Sequence, residues 1–278
     1  MAVLTRKNNP EARMSLGEHF KEFRNRTLIA VIAICIAAVF AWLKYDVKQP
    51  DGTHVGIWPW LQHPILEVAA RHPGQEIAPN FPSMTDAFGV KLKVSLWAGL
   101  IISSPVWLWE IWAFLAPGLT GKEKKIGVGF IATAVPLFLA GCWVATLVMQ
   151  NAVGFLLGVT PSGATNLFSA QEYLTFVTKF ILAFGFAFLL PVFLVALNMA
   201  HVFPGRIMLK GWRIAVMVIG VFAAMMSPTP DAWSMLALMA PMVVLYFAAC
   251  GIALLMDKRR DANRPEWLDV PDDERSSL

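Results

Sequence analysis

The chain of 278 residues is 57 % hydrophobic and 15 % charged, with a formal net charge of +4; soluble proteins run at roughly 45–50 % and about 25 %. A water-soluble fold of this length cannot hide so much apolar surface (mean hydropathy +0.57), so lipid is the solvent for much of it. Disorder, a collagen-like fibre and a disulfide-stapled secreted domain are excluded, and the small, scattered positive charge leaves no footprint for nucleic acid.

In chain order, residues 1–26 read as a polar arm. Ser15-Leu16-Gly17-Glu18 fits a capping box. From there Leu16, Phe20 and Phe23 share one helical face, and Glu18, Glu22 and Arg26 share another at i, i+4 spacing. This predicts an interfacial amphipathic helix leading into the membrane. Six apolar runs then predict spans at about 27–43, 92–115, 126–150, 172–197, 213–227 and 232–256, with 257–278 as a polar tail. The first run is preceded by a long helix-patterned segment and followed by further spans, as in a retained anchor. The expected fold is therefore all-α: one membrane domain of six kinked helices, the fifth and sixth spans short. The uncharged part of the fifth, Ile214 to Met226, rises only ~20 Å against a hydrocarbon core of ~30 Å. Pro105, Pro136, Pro191 and Pro241 fall inside spans two, three, four and six, where each removes a backbone donor and predicts a kink.

Lysine and arginine placement sets the orientation. They crowd the arm (Arg6, Lys7, Arg13, Lys21, Arg24, Arg26), the loop after span two (Lys122, Lys124, Lys125), the loop after span four (Arg206, Lys210, Arg213) and the tail. The segments 151–171 and 227–231 contain none. Both termini are expected on the cytoplasmic side.

The three cysteines, Cys35, Cys142 and Cys250, sit apart in apolar runs, which suggests neither a zinc site nor a redox pair. The five histidines lie at run edges or in loops, where a membrane haem would not find them. No cofactor or metal is expected. No nucleophile–base or metal-ligand spacing appears in the spans, so an enzyme is not expected either. Acids are scarce on the cytoplasmic side, which leaves two readings of Glu22 and Glu123. Glu22 pairs with Arg26 and Glu123 pairs within Lys122-Glu123-Lys124-Lys125; or both serve a cationic ligand, for which a guanidinium is the natural guest. Glu110 and Lys179 are charges inside predicted spans and should face protein or water. Either they offer polar contacts to a partner, or Glu110 sits at headgroup level and Lys179 snorkels. An ion-coupled small-molecule transporter would use the same two as its relay, but no internal repeat of the spans accompanies them.

Three blocks of sequence carry a family resemblance. The first is Glu18-His19-Phe20-Lys21-Glu22-Phe23-Arg24-Asn25-Arg26. The second comprises Phe88, Lys93-Val94-Ser95, Ser103-Ser104-Pro105, Trp112 to Leu119 with Phe114 and Pro117, and Glu123. The third is Ser227-Pro228-Thr229-Pro230-Asp231 with Ala240-Pro241-Met242. Together, from about Ser15 to Met256, they resemble TatC, the multispanning receptor subunit of the twin-arginine protein translocase of the bacterial cytoplasmic membrane.

The resemblance implies a non-enzymatic receptor that binds Arg-Arg signal peptides of folded precursors at the cytoplasmic face. It also implies assembly with TatA- and TatB-type single-span subunits for export driven by the proton gradient. By matched position, Glu22 and Glu123 are the carboxylates expected to hold the arginine pair, with Arg24 and Phe114 in the same blocks. Glu18, His19, Phe88, Pro105, Glu110, Pro117 and Asp231 are supporting positions, as is the first-loop proline, Pro64 with Pro59 as the competing alignment. Two departures stand out. Leu189 and Met235 replace polar residues that relatives often carry, and Glu110 or Lys179 is a candidate to supply the missing polarity.

Overall fold

The computed structural model describes residues 16–71, 77–115, 121–158, 166–199, 203–226 and 232–262. Helix α1 runs unbroken from Leu16 to Leu43, so arm and first span form one rod. Its 28 residues make ~42 Å, enough to cross ~30 Å of hydrocarbon with the first turns outside. The loop that follows is not bare. Strands β1 (Val47–Lys48) and β2 (His54–Val55) form an antiparallel hairpin. Asp51 closes its turn, accepting from the Thr53 amide at 2.9 Å and the Thr53 hydroxyl at 2.6 Å. Those two bonds, the hydroxyl's first, hold the Asp51 carboxyl below the usual carboxylate range. Helix α2 (Ile57–Arg71) carries Pro59 in its first turn and a buried Pro64 further on, and strand β3 spans Ile77–Asn80.

Helix α3 (Asp86–Ile102) and α4 (Ser104–Leu115) meet at a 60° bend. Pro105 explains it: the ring has no N–H to give Ile101 and clashes with the carbonyl one turn back. The neighbouring carbonyl of Leu100 takes the Trp107 indole N–H instead, at 2.9 Å. Helix α5 (Gly121–Gly158) is followed by strand β4 (Asn166–Ser169), helix α6 (Ala170–Met199), a short α7 (Gly205–Lys210), α8 (Trp212–Met226) and α9 (Ala232–Ala262).

Among the described residues four helices are long and apolar enough to cross a bilayer, and the bent α3–α4 pair makes a fifth. The 15 residues of α8 are apolar but rise only ~22 Å. The chain is a multi-pass membrane protein. One expectation needs correction. The sixth run is not short: α9 has 31 residues, with a 22-residue apolar stretch at Leu238–Arg259. Pro105 sits where one helix gives way to the next, whereas Pro136, Pro191 and Pro241 lie inside α5, α6 and α9.

Helix α6 is the central post, packed against α5, α9 and α3. Phe138 of α5, Phe180 and Phe184 of α6, and Leu238 and Met242 of α9 are fully buried at these seams. Helices α5 and α6 approach backbone to backbone at Gly141 and Gly185. A Cβ on Gly141 would lie 2.6 Å from the Phe184 carbonyl oxygen, and one on Gly185 would lie 2.8 Å from Cys142 Sγ. At the hairpin end of the bundle, β3 pairs in parallel with β4, and the Tyr173 hydroxyl of α6 donates to the Leu61 carbonyl of α2 at 2.9 Å. The loops there form one cap.

Candidate functional site

The opposite end of the bundle, where α1 begins and α4 ends, gathers most of the matched residues. Glu22 and Arg26 are one turn apart on α1, so their side chains meet by helix geometry alone. Arg26 donates to Glu22 Oε1 through Nη2 at 2.7 Å and Nε at 3.0 Å. Its Nη1 then reaches across to Glu110 Oε2 on α4 at 3.1 Å. The 60° bend and Pro105 turn α4 so that Glu110 comes back to α1. All three side chains are largely shielded, at 27 % exposed for Arg26, 19 % for Glu22 and 13 % for Glu110. One guanidinium is thus shared by two carboxylates in a place where water screens little.

The second Glu22 oxygen, Oε2, is buried and accepts no hydrogen bond among the described residues. A buried carboxylate oxygen without a donor costs more than an ordinary polar atom. It is an acceptor with spare capacity. One turn toward the N-terminus, His19 stacks on Phe114 with centroids 4.6 Å apart, and Phe23 leans on the same ring at 5.3 Å. Phe114 therefore docks the end of α4 against α1 and walls the carboxylates on one side. Arg24 is exposed on the far face and bonds its neighbour Asn25; Glu18 lies one turn before Glu22, exposed.

Glu123 is the third residue of α5, the helix that follows α4, and its side chain lies outside the described set. Pro117, Asp231 and the capping residue Ser15 also lie outside the described residues. Phe88 and Pro64 do not join this cluster. Phe88 is exposed at the start of α3 and packs edge-on against Trp42 at 5.7 Å, at the hairpin end. Pro64 is buried in α2, in the cap. Glu110 points at Arg26. Lys179 is exposed on α6. Leu189 and Met235 are half-buried against the core, with neither charge beside them in the contacts above.

Sequence reading missed a second polar knot at this end. Buried Asn198 of α6 donates to the Phe203 carbonyl at 3.0 Å and to Asp257 Oδ1 of α9 at 3.1 Å, while Asp257 Oδ2 accepts from the Gly205 amide at 2.6 Å. It ties the ends of α6, α7 and α9. The only signal for it was a lone carboxylate directly after an apolar run, which reads equally well as the first residue of a solvated tail.

A family model described as Sec-independent protein translocase protein (TatC) matches residues 18–241. The chain belongs to the TatC family. It is 41 % identical over 250 residues to the Sec-independent protein translocase protein TatC of Xylanimonas cellulosilytica, covering 90 % of this chain and 87 % of the relative. Over 241 residues it is 32 % identical to the TatC of Carboxydothermus hydrogenoformans, covering 86 % and 93 %. A crystal structure of a twin-arginine translocase receptor, TatC, superposes with a TM-score of 0.67 at 29 % identity, over 85 % of this chain and 98 % of the other. The same receptor in DDM gives 0.69, over 84 % and 99 %. This TatC chain is a component of a protein translocase and not an enzyme.

Proposed function

We propose that this TatC chain is the receptor for Arg-Arg signal peptides of folded precursors, and that its carboxylates Glu22 and Glu123 hold the two guanidinium groups. The observation that carries this reading is that Glu22 already grips a guanidinium, its own Arg26, and keeps its buried Oε2 in reserve. Phe114 fixes the wall beside Glu22, and Arg24, on the far face of α1, is left to meet the peptide outside the carboxylates. The lysine and arginine bias places this end and both termini on the cytoplasmic side of the bacterial plasma membrane. The domain has six spans, with α3–α4 and α8 as the second and fifth. TatA- and TatB-type single-span subunits assemble on the membrane-facing flanks, and the proton gradient drives export. The face of α8 with exposed Met217, Val218 and Val221 is the flank best suited to a partner helix.

The test is binding of a labelled signal peptide, in Arg-Arg and Lys-Lys versions, to the reconstituted protein. The wild type favours Arg-Arg because the two-pronged guanidinium–carboxylate bond has no lysine equivalent. Glu22→Gln with Glu123→Gln is expected to weaken Arg-Arg binding at least tenfold, about 1.4 kcal/mol, and to erase the preference. Unchanged Arg-Arg affinity in a double variant that elutes as the wild type does overturns the assignment. The rival transporter reading finds no relay here, since Glu110 is engaged by Arg26 at one end of the bundle and Lys179 faces a groove at the other.

A further inference from the structure

A groove of about 1180 Å³ opens at the hairpin end between α3, α6 and α8. It is larger than the roughly 300–1,000 Å³ of a compact small-molecule pocket. Its walls are mostly apolar, with Trp97, Phe176, Phe180 and Phe222 prominent, and its charged residues are Lys93, Glu172 and Lys179. Glu172 and Lys179 stand seven residues apart on α6, so they share one face with ~10 Å between them along the axis. Glu172 lies in the first turn of α6. Lys179 lies ~13 Å in from the start of α6. Neither forms an ion pair among the described residues. Lys93 is already engaged: Gln171, its amide oriented by its neighbours, accepts from Lys93 Nζ and donates to Asp86 Oδ1, each at 3.2 Å.

A lysine snorkelling to open lipid would satisfy itself with passing headgroups. This one instead faces a walled groove, with a carboxylate above it and aromatic side chains around it. The order of groups from the water inward is an anion, then a cation, then apolar wall. The complementary ligand carries a cation outermost, then an anion, then hydrocarbon. We infer that the groove between α3, α6 and α8 is a headgroup-selective site for an aminophospholipid, its phosphate on Lys179, its ammonium on Glu172 and an acyl chain along Trp97, Ala183 and Phe186. An anionic lipid without the amine would meet the Glu172 carboxylate unpaired, and a choline headgroup cannot donate a hydrogen bond to it.

The experiment reconstitutes the full chain in nanodiscs of equal phosphatidylethanolamine, phosphatidylglycerol and phosphatidylcholine, strips bulk lipid with detergent and weighs the retained lipid by native mass spectrometry. The wild type is expected to retain phosphatidylethanolamine over the other two by about fivefold, ~1 kcal/mol. Lys179→Gln should lose retention of all three. Glu172→Gln should keep a bound lipid but lose the amine preference, and because it is isosteric it guards against misfolding in the first variant. Equal retention of the three lipids by the wild type, undiminished retention in Lys179→Gln, or a copurifying single-span partner helix crosslinked to Lys179 in place of lipid would each overturn the site.

Discussion

Arg26 shares the Glu22 carboxylate that a signal-peptide arginine would need, holding Oε1 and leaving Oε2. Its bonds to Glu22 and Glu110 keep two acids from facing each other uncompensated, so the empty receptor is stable. An incoming guanidinium that takes both oxygens of Glu22 must displace it, while Glu110 can retain Arg26 once Glu22 lets go. Arg26→Gln is therefore expected to tighten Arg-Arg peptide binding about fivefold, ~1 kcal/mol, the worth of a partly shielded ion pair. Titration of the labelled peptide against wild type and variant checks it, and weaker binding in a folded variant would show that Arg26 helps rather than competes. Half of this arrangement was legible in the sequence, because Glu22 and Arg26 lie one helical turn apart. The other half was not. Glu110 and Phe114 reach α1 only because a bent pair of helices folds back, and no local spacing announces a contact across 84 residues.

At the level of elements, the apolar runs were easy to read and their joints were hard. A run of uncharged residues reports the solvent it meets, not where the chain turns. Prolines did not report bends equally. Pro105 lies two residues before Trp107, whose indole N–H takes the neighbouring Leu100 carbonyl at the bend, whereas the other three lie inside helices that continue past them. Helix α2 escaped notice because Trp58, Pro59, Trp60 and Pro64 disguise its periodicity, and the two-residue strands of hairpin β1–β2 are too short to show an alternation. The contact between α5 and α6 is more exacting than any loop. Gly141→Val would drive a side chain into the Phe184 carbonyl, and backbone cannot yield as a flexible side chain can. The expected cost is about 1–3 kcal/mol, read as a lower thermal unfolding midpoint in detergent; Gly129→Val, on the same helix with open space around it, should leave the midpoint near that of the wild type.

The whole molecule presents the bilayer with helices of unequal reach. Helix α8, at ~22 Å, falls about 8 Å short of a typical hydrocarbon core, and each ångström of mismatch costs a fraction of a kcal/mol. Reconstitution in lipids of graded chain length should give the highest unfolding temperature in thin bilayers. Adding four apolar residues after Val221 should move that optimum to thicker ones, and an optimum that ignores the insertion would mean that neighbouring helices shield α8 from lipid.

The parallel pairing of β3 with β4 has a temporal meaning. Ile77 and Asn166 are partners 89 residues apart, so β3 leaves the ribosome with its mate still unmade and the loop between them costly to close. Until α5 has been made, β3 waits with an unsatisfied edge. The cap at the hairpin end therefore closes only after α1 to α5 are made, and no earlier helix can complete it alone.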